Sequence, residues 1–309
     1  KGWPRGIWSC DYCVCTCQAD RNITRAKRAI SLAWEYSNRL QNMVVTGVRF
    51  VQKDRMIHIQ IREGKLQPEG RILKGSDRWL PLRQYEYTTA GENGSYSLVL
   101  GKKKREPLEM GRDFEFIRGD IRIFNLDDVL VPKDHIVVGV RFNHVKDWWI
   151  KQDNPIRIEV YSAPYDYEEG FVKVEYRDPV TWIAIDSDKK RTSVKFDHPD
   201  LPTKNGLNVP TLRPNLFVKI QESDLKKDAG QSTIPFWDIQ DVVTSPSSPL
   251  QGIGFFHKGH RDGLYGGYLA LRLHSLDFVD NLKTKLPDDL KKLYEEKYQK
   301  PMYSPVSSL

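Results

Sequence analysis

The stretch that decides the fold is Met43-Val-Val-Thr-Gly-Val-Arg-Phe50, because it occurs three times in the chain. It returns as Ile136-Val-Val-Gly-Val-Arg-Phe142 and, more weakly, as Leu250-Gln-Gly-Ile-Gly-Phe-Phe256. Each copy is a short run of mainly apolar residues around a central glycine, which is typical of a β-strand. An internal repeat outweighs local motifs in deciding a fold, because repeated units usually pack against one another.

The sequence around the three glycines is also repeated. An apolar stretch precedes each glycine and an alternating run follows it: Ile30–Trp34, Ile123–Leu126 and Ile234–Trp237 before, and Ile57–Ile61, Ile156–Val160 and Leu269–Leu273 after. The repeat therefore predicts a strand at Ile30–Trp34, although the local composition favours a helix. We expect Gly47, Gly139 and Gly252 to mark bulges or close strand contacts, not a binding site.

The repeats predict one all-β domain over residues 22–279, with units at about 30–66, 121–167 and 233–279. Three antiparallel units favour a three-repeat β-prism, and a β-sandwich of the same strands is the alternative. We expect a cysteine-bearing arm at residues 1–21 and a short helix with a tail at residues 280–309. Proline at the start of Pro287–Tyr298 and acidic residues in its first turn favour that helix.

Composition restricts the class of protein. The chain has 309 residues, a net charge of +7 and 39% hydrophobic residues, which favours sheets with one wet face. Its apolar runs fall short of the ~20 residues needed to span a bilayer, and we expect no nucleic-acid partner. The basic run Lys102–Arg105 predicts a solvated loop, with contact to an acidic polymer such as a sulfated glycan as the alternative.

Cysteines and sequons indicate the secretory pathway. All the cysteines lie in one short segment, at Cys10, Cys13, Cys15 and Cys17, which is typical of disulfides formed in an oxidising compartment. They can pair with one another or with another chain; zinc is the alternative, but structural zinc sites usually use two separated pairs. Asn22 and Asn93 each begin an Asn-x-Ser/Thr glycosylation sequon. We therefore predict a secreted, extracellular glycoprotein.

The sequence lacks a catalytic signature. It has no phosphate-binding glycine loop, no nucleophile elbow and no His-Glu-x-x-His motif, and we predict neither cofactor nor metal. Glu63 and Glu159 lie on alternating strands, where we expect them to face solvent. His257, His260 and Asp262 offer one possible metal set, for which a polar turn is the favoured interpretation.

Carbohydrate is the ligand that the loops suit best. Asp262 and Tyr265 lie in the glycine-rich loop 259–268, where a carboxylate can accept sugar hydroxyls and a ring can stack. Trp148 and Trp149 in the loop 143–154 form a second candidate. The alternatives are a plain hairpin loop and tryptophans packed between sheets. We expect function to lie where the three copies differ.

Several motifs resemble a family of uncharacterised secreted insect proteins: Cys10–Cys17, Val44–Phe50, Thr233–Gln240 and Gly252–Gly259. The resemblance implies an extracellular protein and supplies no catalytic residue. In architecture alone, the threefold pattern also resembles jacalin-type lectins and vitelline-membrane outer-layer proteins. We thus predict a secreted, non-enzymatic protein that binds glycans or extracellular proteins. The alternatives are an extracellular polysaccharide hydrolase and a matrix component linked by intermolecular disulfides through Cys10–Cys17.

Overall fold

The fold is taken from a computed structural model of the chain. It divides into two units, Lys1–Leu276 and Asp277–Leu309, and every strand formed by the described residues lies in the first unit. The structure describes residues 29–89, 94–117, 122–144, 155–173, 181–185, 190–196, 208–224, 226–227, 232–279 and 292. The predicted arm at residues 1–21 lies outside this part of the chain. So does the predicted helix at Pro287–Tyr298, apart from Lys292.

The described chain is almost entirely β-structure, which confirms the predicted all-β class. Besides the single residues Val279 and Lys292, helix among these residues is limited to two 3-10 turns, Arg39–Gln41 and Pro68–Gly70. The strands are β1 Ala29–Ser31, β2 Glu35–Tyr36, β3 Met43–Lys53, β4 Met56–Gln67, β5 Arg71–Ile72, β6 Arg78–Trp79, β7 Tyr85–Thr88, β8 Ser95–Val99, β9 Arg105–Pro107, β10 Phe114–Phe116, β11 Ile123–Leu126, β12 Asp128–Leu130, β13 His135–His144, β14 Ile156–Asp166, β15 Phe171–Val172, β16 Thr181–Ile183, β17 Thr192–Ser193, β18 Val209–Pro210, β19 Leu216–Lys219, β20 Gln221–Glu222, β21 Thr233–Ile234, β22 Phe236–Trp237, β23 Val242–Val243, β24 Leu250–Gly259 and β25 Tyr268–Ser275.

Three long hairpins, β3–β4, β13–β14 and β24–β25, organise the fold. In each hairpin the pairing register shifts immediately before the repeat glycine, at Gly47, Gly139 and Gly252. A β-bulge inserts one unpaired residue and bends its strand. The prediction that these glycines mark bulges is therefore confirmed.

A short strand completes each unit on the far side of its hairpin. β1 pairs with β4, β11 with β14 and β22 with β25, and all three pairings are parallel. The prediction of purely antiparallel units is wrong in this respect. The reason is topological: the first strand joins the second strand of the hairpin instead of the first, and so runs in the same direction as its neighbour.

The hairpins lie in three separate sheets. The first sheet has the order β10-β1-β4-β3-β23, the second has β17-β19-β11-β14-β13-β2, and the third has β12-β24-β25-β22. Short strands add to their edges: β5 and β6 to β4, β15 and β16 to β14, and β18 to β24. The strands β7-β8-β9 form a small sheet of their own, as do β20-β21.

One hydrophobic core draws residues from all three sheets. Phenylalanine stands three residues after each repeat glycine, and the three rings, Phe50, Phe142 and Phe255, meet with centroids 5.3–6.0 Å apart. Each ring is about 1% exposed. Burying a side chain of this size stabilises the fold by roughly 1.5–3 kcal/mol. The repeat therefore specifies the centre of the core as well as the hairpins.

The strand predicted at Ile30–Trp34 is confirmed only in its first part. β1 ends at Ser31, whose hydroxyl accepts a hydrogen bond from the Ala33 N–H at 3.2 Å. Short polar side chains that bond nearby backbone groups compete with strand pairing. The chain then turns through Leu32–Trp34 and begins β2 at Glu35.

Candidate functional site

Three short strands connect the sheets in a cycle, and we call them the linker strands. β2, which follows β1 of the first unit, pairs with β13 of the second sheet. β12, from the second unit, pairs with β24 of the third sheet, and β23, from the third unit, pairs with β3 of the first sheet. Each linker strand therefore joins the next sheet along the edge of its bulged strand.

The repeat glycines allow the linker strands to approach closely, because a side chain at these positions would clash with them. A Cβ added at Gly139 would lie 2.9 Å from the Glu35 carbonyl oxygen, and one at Gly252 would lie 2.6 Å from the Val129 carbonyl oxygen. A Cβ at Gly47 would lie 2.7 Å from Val243 Cγ1. Real Cβ atoms do not approach other atoms this closely. Glycine therefore avoids a clash with the linker strand in all three copies, with a backbone carbonyl at Gly139 and Gly252 and with a side-chain methyl group at Gly47.

The outer face of the second sheet carries a row of aromatic side chains centred on Gly139. Tyr36 of β2 lies opposite Gly139, Gly139 lies opposite Tyr161 of β14, and Tyr161 lies opposite Trp182 of β16. Side chains alternate between the faces of a strand, so Trp34, two residues before Tyr36, borders the same face. We call Trp34, Tyr36, Tyr161 and Trp182 the aromatic platform.

The platform rings stack on one another and on an arginine. The Trp34 and Trp182 centroids are 3.3 Å apart, and those of Trp182 and Tyr161 are 3.9 Å apart. The Arg141 guanidinium lies 3.1 Å from the Trp34 centroid, and that of Arg39 lies 5.3 Å from the Tyr161 centroid. Cation–π contacts of this kind contribute about 0.5–2 kcal/mol each. Together with the ring contacts they hold Trp34, Tyr161 and Trp182 in place.

Part of this platform is open to solvent. Tyr36 is 59% exposed and Trp182 is 37% exposed, while Trp34 and Tyr161 are half-buried. A contiguous group of partly exposed aromatic residues is a mark of a binding surface, because it leaves apolar area in water. The outer face of the second sheet is therefore the best candidate for a binding surface in the described part of the chain.

Glu159 anchors Arg141 beneath the platform. Its Oε2 accepts hydrogen bonds from Arg141 Nε and Nη2 at 2.9 and 2.7 Å, and its Oε1 accepts from Asn143 Nδ2 at 2.9 Å. Burial by itself would raise the pKa of Glu159, but hydrogen bonds from Asn143 and Arg141 hold that pKa below its usual value. The carboxylate is therefore ionised and fixes the direction of the guanidinium.

The prediction that Glu63 and Glu159 face solvent is wrong. Glu63 is 0% and Glu159 is 3% exposed. Glu63 Oε1 accepts hydrogen bonds from Arg78 Nε and Nη2 at 2.9 and 2.7 Å, and its Oε2 accepts one from the Asn38 N–H at 2.9 Å. Glu63 alternates in step with Ile59 and Ile61 and therefore lies on the core side of β4. Glu159 lies on the outer face of β14, where Arg141 and Arg157 cover it.

Glu35 of β2 occupies a core position directly behind the platform. It lies opposite Val140, whereas the equivalent residues of the other linker strands are Val242 and Val129. Burial raises the pKa of the Glu35 carboxyl to about 7, against the opposing charge of Arg83. A carboxyl with a perturbed pKa is a common mark of a functional site, but this side chain points away from the aromatic face.

The loop 259–268 brings two of the predicted ligand-binding residues together. The His260 ring lies 5.0 Å from that of Tyr265, and His260 Nδ1 lies 3.9 Å from Asp262 Oδ2. His257 is separate from this group: it is buried and its Nε2 bonds the Gly266 carbonyl at 2.8 Å. Among the residues that the structure describes, no three His, Cys, Asp or Glu side chains form a metal-binding group.

The other predicted sites divide into described and undescribed residues. Lys102–Lys104 form an exposed turn between β8 and β9, and Arg105 pairs with Glu86. The remaining predictions lie outside the described residues: Trp148 and Trp149 as ligand-binding residues, Cys10, Cys13, Cys15 and Cys17 as disulfide partners, and Asn22 and Asn93 as glycosylation sites.

Sequence reasoning missed the platform, although one signal pointed to it. Two linker strands read Asp128-Val-Leu130 and, with the residue before it, Asp241-Val-Val243, while the third reads Trp34-Glu-Tyr36. This is a place where the three copies differ. The divergent linker was overlooked because Tyr36 lies 11 residues before its glycine, whereas the ends of the other two linkers lie nine residues before theirs, so alignment on the glycines does not superimpose it on them.

The fold and the platform define an all-β protein with a threefold set of hairpins and one aromatic outer face. Residues 1–61 match the model of a family described as "Domain of unknown function (DUF4803)". That match contains β1, β2 and β3 and includes Trp34, Glu35 and Tyr36. No curated protein matches the chain. Within the described residues, no helix is long and apolar enough to cross a membrane.

Proposed function

We propose that this chain is a secreted, non-enzymatic binding protein of the extracellular space, whose three sheets form a β-prism and whose aromatic platform binds carbohydrate. The observation that carries the proposal is the row Tyr36–Gly139–Tyr161–Trp182 on the outer face of the second sheet. Two of its rings are exposed, at 59% for Tyr36 and 37% for Trp182.

The chemistry of the platform suits a sugar. A pyranose ring has apolar C–H faces and polar hydroxyl edges, so it combines stacking on aromatic rings with a few fixed hydrogen bonds. Tyr36 and Trp182 offer open ring surface. The Arg39 guanidinium lies over the neighbouring Tyr161 ring, and that of Arg141 lies over Trp34 and Trp182. Guanidinium groups donate hydrogen bonds and accept none.

The first sheet supports the proposal by contrast. Trp79 lies opposite Arg62, as Trp182 lies opposite Tyr161, and its ring stacks on Arg49 at 4.2 Å. The linker strand beside it supplies Val243 where the second sheet has Tyr36. The first sheet therefore has the same tryptophan–arginine pair without an exposed aromatic row, and it provides a matched control within the same molecule.

The test is a glycan-array screen of the purified chain, followed by titration calorimetry of any sugar it binds. We expect Trp182→Ala to weaken binding about fivefold or more, since one stacked ring contributes about 1 kcal/mol or more. Trp79→Ala should leave the affinity unchanged. Circular dichroism spectra that match the wild type would show that both variants are folded.

Two results would overturn the proposal. One is that no glycan binds to the wild type. The other is that Trp79→Ala and Trp182→Ala weaken binding equally, which would place the ligand elsewhere. Release of reducing sugar from a bound polysaccharide would instead favour the extracellular hydrolase, for which Glu35 is the carboxyl with a pKa suited to an acid catalyst.

A further inference from the structure

We propose that the carbohydrate bound by the aromatic platform is acidic, and that Arg39 pairs with its carboxylate or sulfate group. The inference rests on the proposed function, because it names the class of sugar that the same surface binds. An acidic sugar offers an apolar face to aromatic rings and an anionic group at its edge. Its recognition therefore needs rings and an unneutralised cation side by side.

Arg39 supplies a cation on the platform itself. It begins the 3-10 turn that comes shortly after β2, and its guanidinium lies 5.3 Å from the centre of the Tyr161 ring. Tyr161 is central to the platform, since it lies opposite both Gly139 and Trp182. Within the described part of the chain, the Arg39 side chain makes this ring contact but no hydrogen bond or ion pair. Its N–H donors are therefore available to a ligand.

The rows beside the platform add positive charge to the same face. Along the second hairpin, the row of Tyr161 is followed by Arg141 opposite Glu159, and then by Arg157 opposite Asn143. Residues two apart on a strand share a face, and successive rows are about 7 Å apart. Glu159 accepts hydrogen bonds from Arg141 at 2.7 Å and from Arg157 at 2.8 Å. One carboxylate thus serves two arginines, and one positive charge is left over.

The other two hairpins differ, because each arginine on their outer faces has a carboxylate of its own. These pairs are Arg49 with Asp241 at 2.9 Å, Arg62 with Asp77 at 3.4 Å, and Arg272 with Asp128. In the second hairpin two arginines share one carboxylate, and Arg39 adds a third cation beside them. Among the residues that the structure describes, the excess of arginine over carboxylate therefore falls on the face that carries the aromatic rings.

The shared carboxylate leaves the two arginines repelling each other. Burial lowers the pKa of Arg141, the hydrogen bonds to Glu159 oppose this effect, and the charge of Arg157 adds to it. The side chains of Arg141 and Arg157 are only 18% and 22% exposed, so water screens their repulsion in part. An anionic ligand offsets this excess of positive charge, whereas a neutral sugar does not.

The first experiment is a glycan array that holds each acidic glycan beside its neutral counterpart. The pairs are uronic-acid oligosaccharides with their carboxyl-reduced forms, and sulfated neutral oligosaccharides with their desulfated forms. We expect the full chain to bind the acidic members at least about tenfold more tightly, as hydrogen bonds to charged groups contribute this much. The kind of pair that shows the difference identifies the anionic group. Added salt should reduce the preference, because it screens exposed charges.

Arginine variants test the role of Arg39. Arg39→Gln should lower the ratio of acidic to neutral affinity at least about fivefold, whereas Arg39→Lys keeps the charge and should retain part of the preference. The matched control is Arg55→Gln, since the Arg55 guanidinium also lies over a tyrosine, 4.9 Å from the Tyr87 centroid, at the turn of the first hairpin. This control should leave the ratio unchanged. A ratio is measured because partial unfolding would weaken both members of a pair alike.

The outcomes separate this inference from the proposed function. Equal binding of acidic and neutral members, with Trp182→Ala weakening both, would overturn the inference and leave carbohydrate binding by the platform intact. An affinity ratio that is unchanged in Arg39→Gln, or lowered equally in Arg55→Gln, would also overturn the inference. Binding of no glycan in any pair would overturn both proposals.

Discussion

The outer faces of the first and second sheets have the same framework and different surfaces. In both sheets an arginine follows two residues after the repeat glycine. The residue that pairs with this glycine on the second hairpin strand lies opposite a tryptophan, Trp79 of β6 or Trp182 of β16. In the first sheet Arg49 bonds Asp241 at 2.9 Å, and that carboxylate is 49% exposed. In the second sheet Trp34 stands in the place of Asp241, and Arg141 stacks on its ring.

This difference shows how a repeated fold acquires one special surface. The arginine of the first sheet takes part in an exposed ion pair, which contributes about 0–1 kcal/mol. The arginine of the second sheet is directed by buried Glu159, so its flat face is free to support aromatic rings. Trp34 and the two residues of β2, Glu35 and Tyr36, make this surface aromatic where that of the first sheet is charged. The hairpin is the same in both sheets.

The largest predicted effect concerns the framework that the two sheets share. Phe50→Ala and Phe142→Ala should each lower the free energy of unfolding by about 3–5 kcal/mol, because each leaves a cavity in the common core. The two losses should agree within about 1 kcal/mol, since both rings contact Phe255 and Trp237. Urea denaturation measures both values.

A marked inequality would break the comparison. If Phe50→Ala cost little while Phe142→Ala unfolded the protein, the sheets would not contribute equally to one core. Phe171→Ala serves as the control, because this phenylalanine is 43% exposed and lies outside the core cluster. Its substitution should change the free energy of unfolding by less than about 1 kcal/mol.

The second predicted effect concerns Glu35, which occupies the position where the other two linker strands have valine. Its folded pKa of about 7 lies above the reference value of 4.5. The folded state then binds more protons than the unfolded state, so stability falls as pH rises from about 4.5 to about 7. The loss is of order 3 kcal/mol. Glu35→Val should therefore stabilise the protein by about 3 kcal/mol at pH 8 and much less at pH 4.

Because of His58, the Glu35→Val substitution should change the slope of stability against pH. Burial lowers the pKa of His58 from 6.5 to about 4, so its contribution to stability is lost as pH falls through that interval. The two groups have opposite pH slopes between about 4.5 and 6.5 and largely cancel there. In Glu35→Val, stability should rise with pH over this range. Urea denaturation at several pH values would show it, and an unchanged profile would contradict the burial of Glu35.

The sequence predicts the framework better than the surface. The glycine repeat indicates the hairpins and the bulges, because a bulge with a close strand contact requires glycine at Gly47, Gly139 and Gly252. The parallel pairing of β1 with β4 was not predictable from the pattern, since apolar alternation does not encode strand direction. The burial of Glu63 was predictable, because it alternates in step with Ile59 and Ile61. That of Glu159 was not, because alternation assigns a face but does not show that Arg141 and Arg157 cover it.

The platform was harder to predict because its residues come from distant parts of the chain. Trp34 and Tyr36 belong to a linker strand of the first unit, while Tyr161 and Trp182 belong to the second. Only the cyclic exchange of linker strands between units brings them together. A comparison of the three linkers by composition would have indicated Trp34–Tyr36 as the divergent copy, but not the strand on which it lies.

The smallest predicted effect separates the two sheets at their glycines. A Cβ at Gly139 would lie 2.9 Å from both the Glu35 carbonyl oxygen and Tyr36 Cβ, which cannot move unless β2 moves. A Cβ at Gly47 would meet Val243 Cγ1 at 2.7 Å, a methyl group that can rotate away, and the Val242 carbonyl oxygen at 3.0 Å. Overpacking costs about 1–3 kcal/mol. Gly139→Ala should fall at the upper end of this range and Gly47→Ala at the lower end.

Double variants test the physical reason for this difference. Adding Val243→Ala to Gly47→Ala removes the clashing methyl group and should recover most of the overpacking cost, measured against Val243→Ala alone by urea denaturation. Adding Tyr36→Ala to Gly139→Ala should recover little, because alanine keeps the Cβ and the Glu35 carbonyl oxygen stays in place. Equal recovery of the overpacking cost in both sheets would mean that β2 and β23 approach their glycines in the same way. The two linker strands would then differ in their side chains alone.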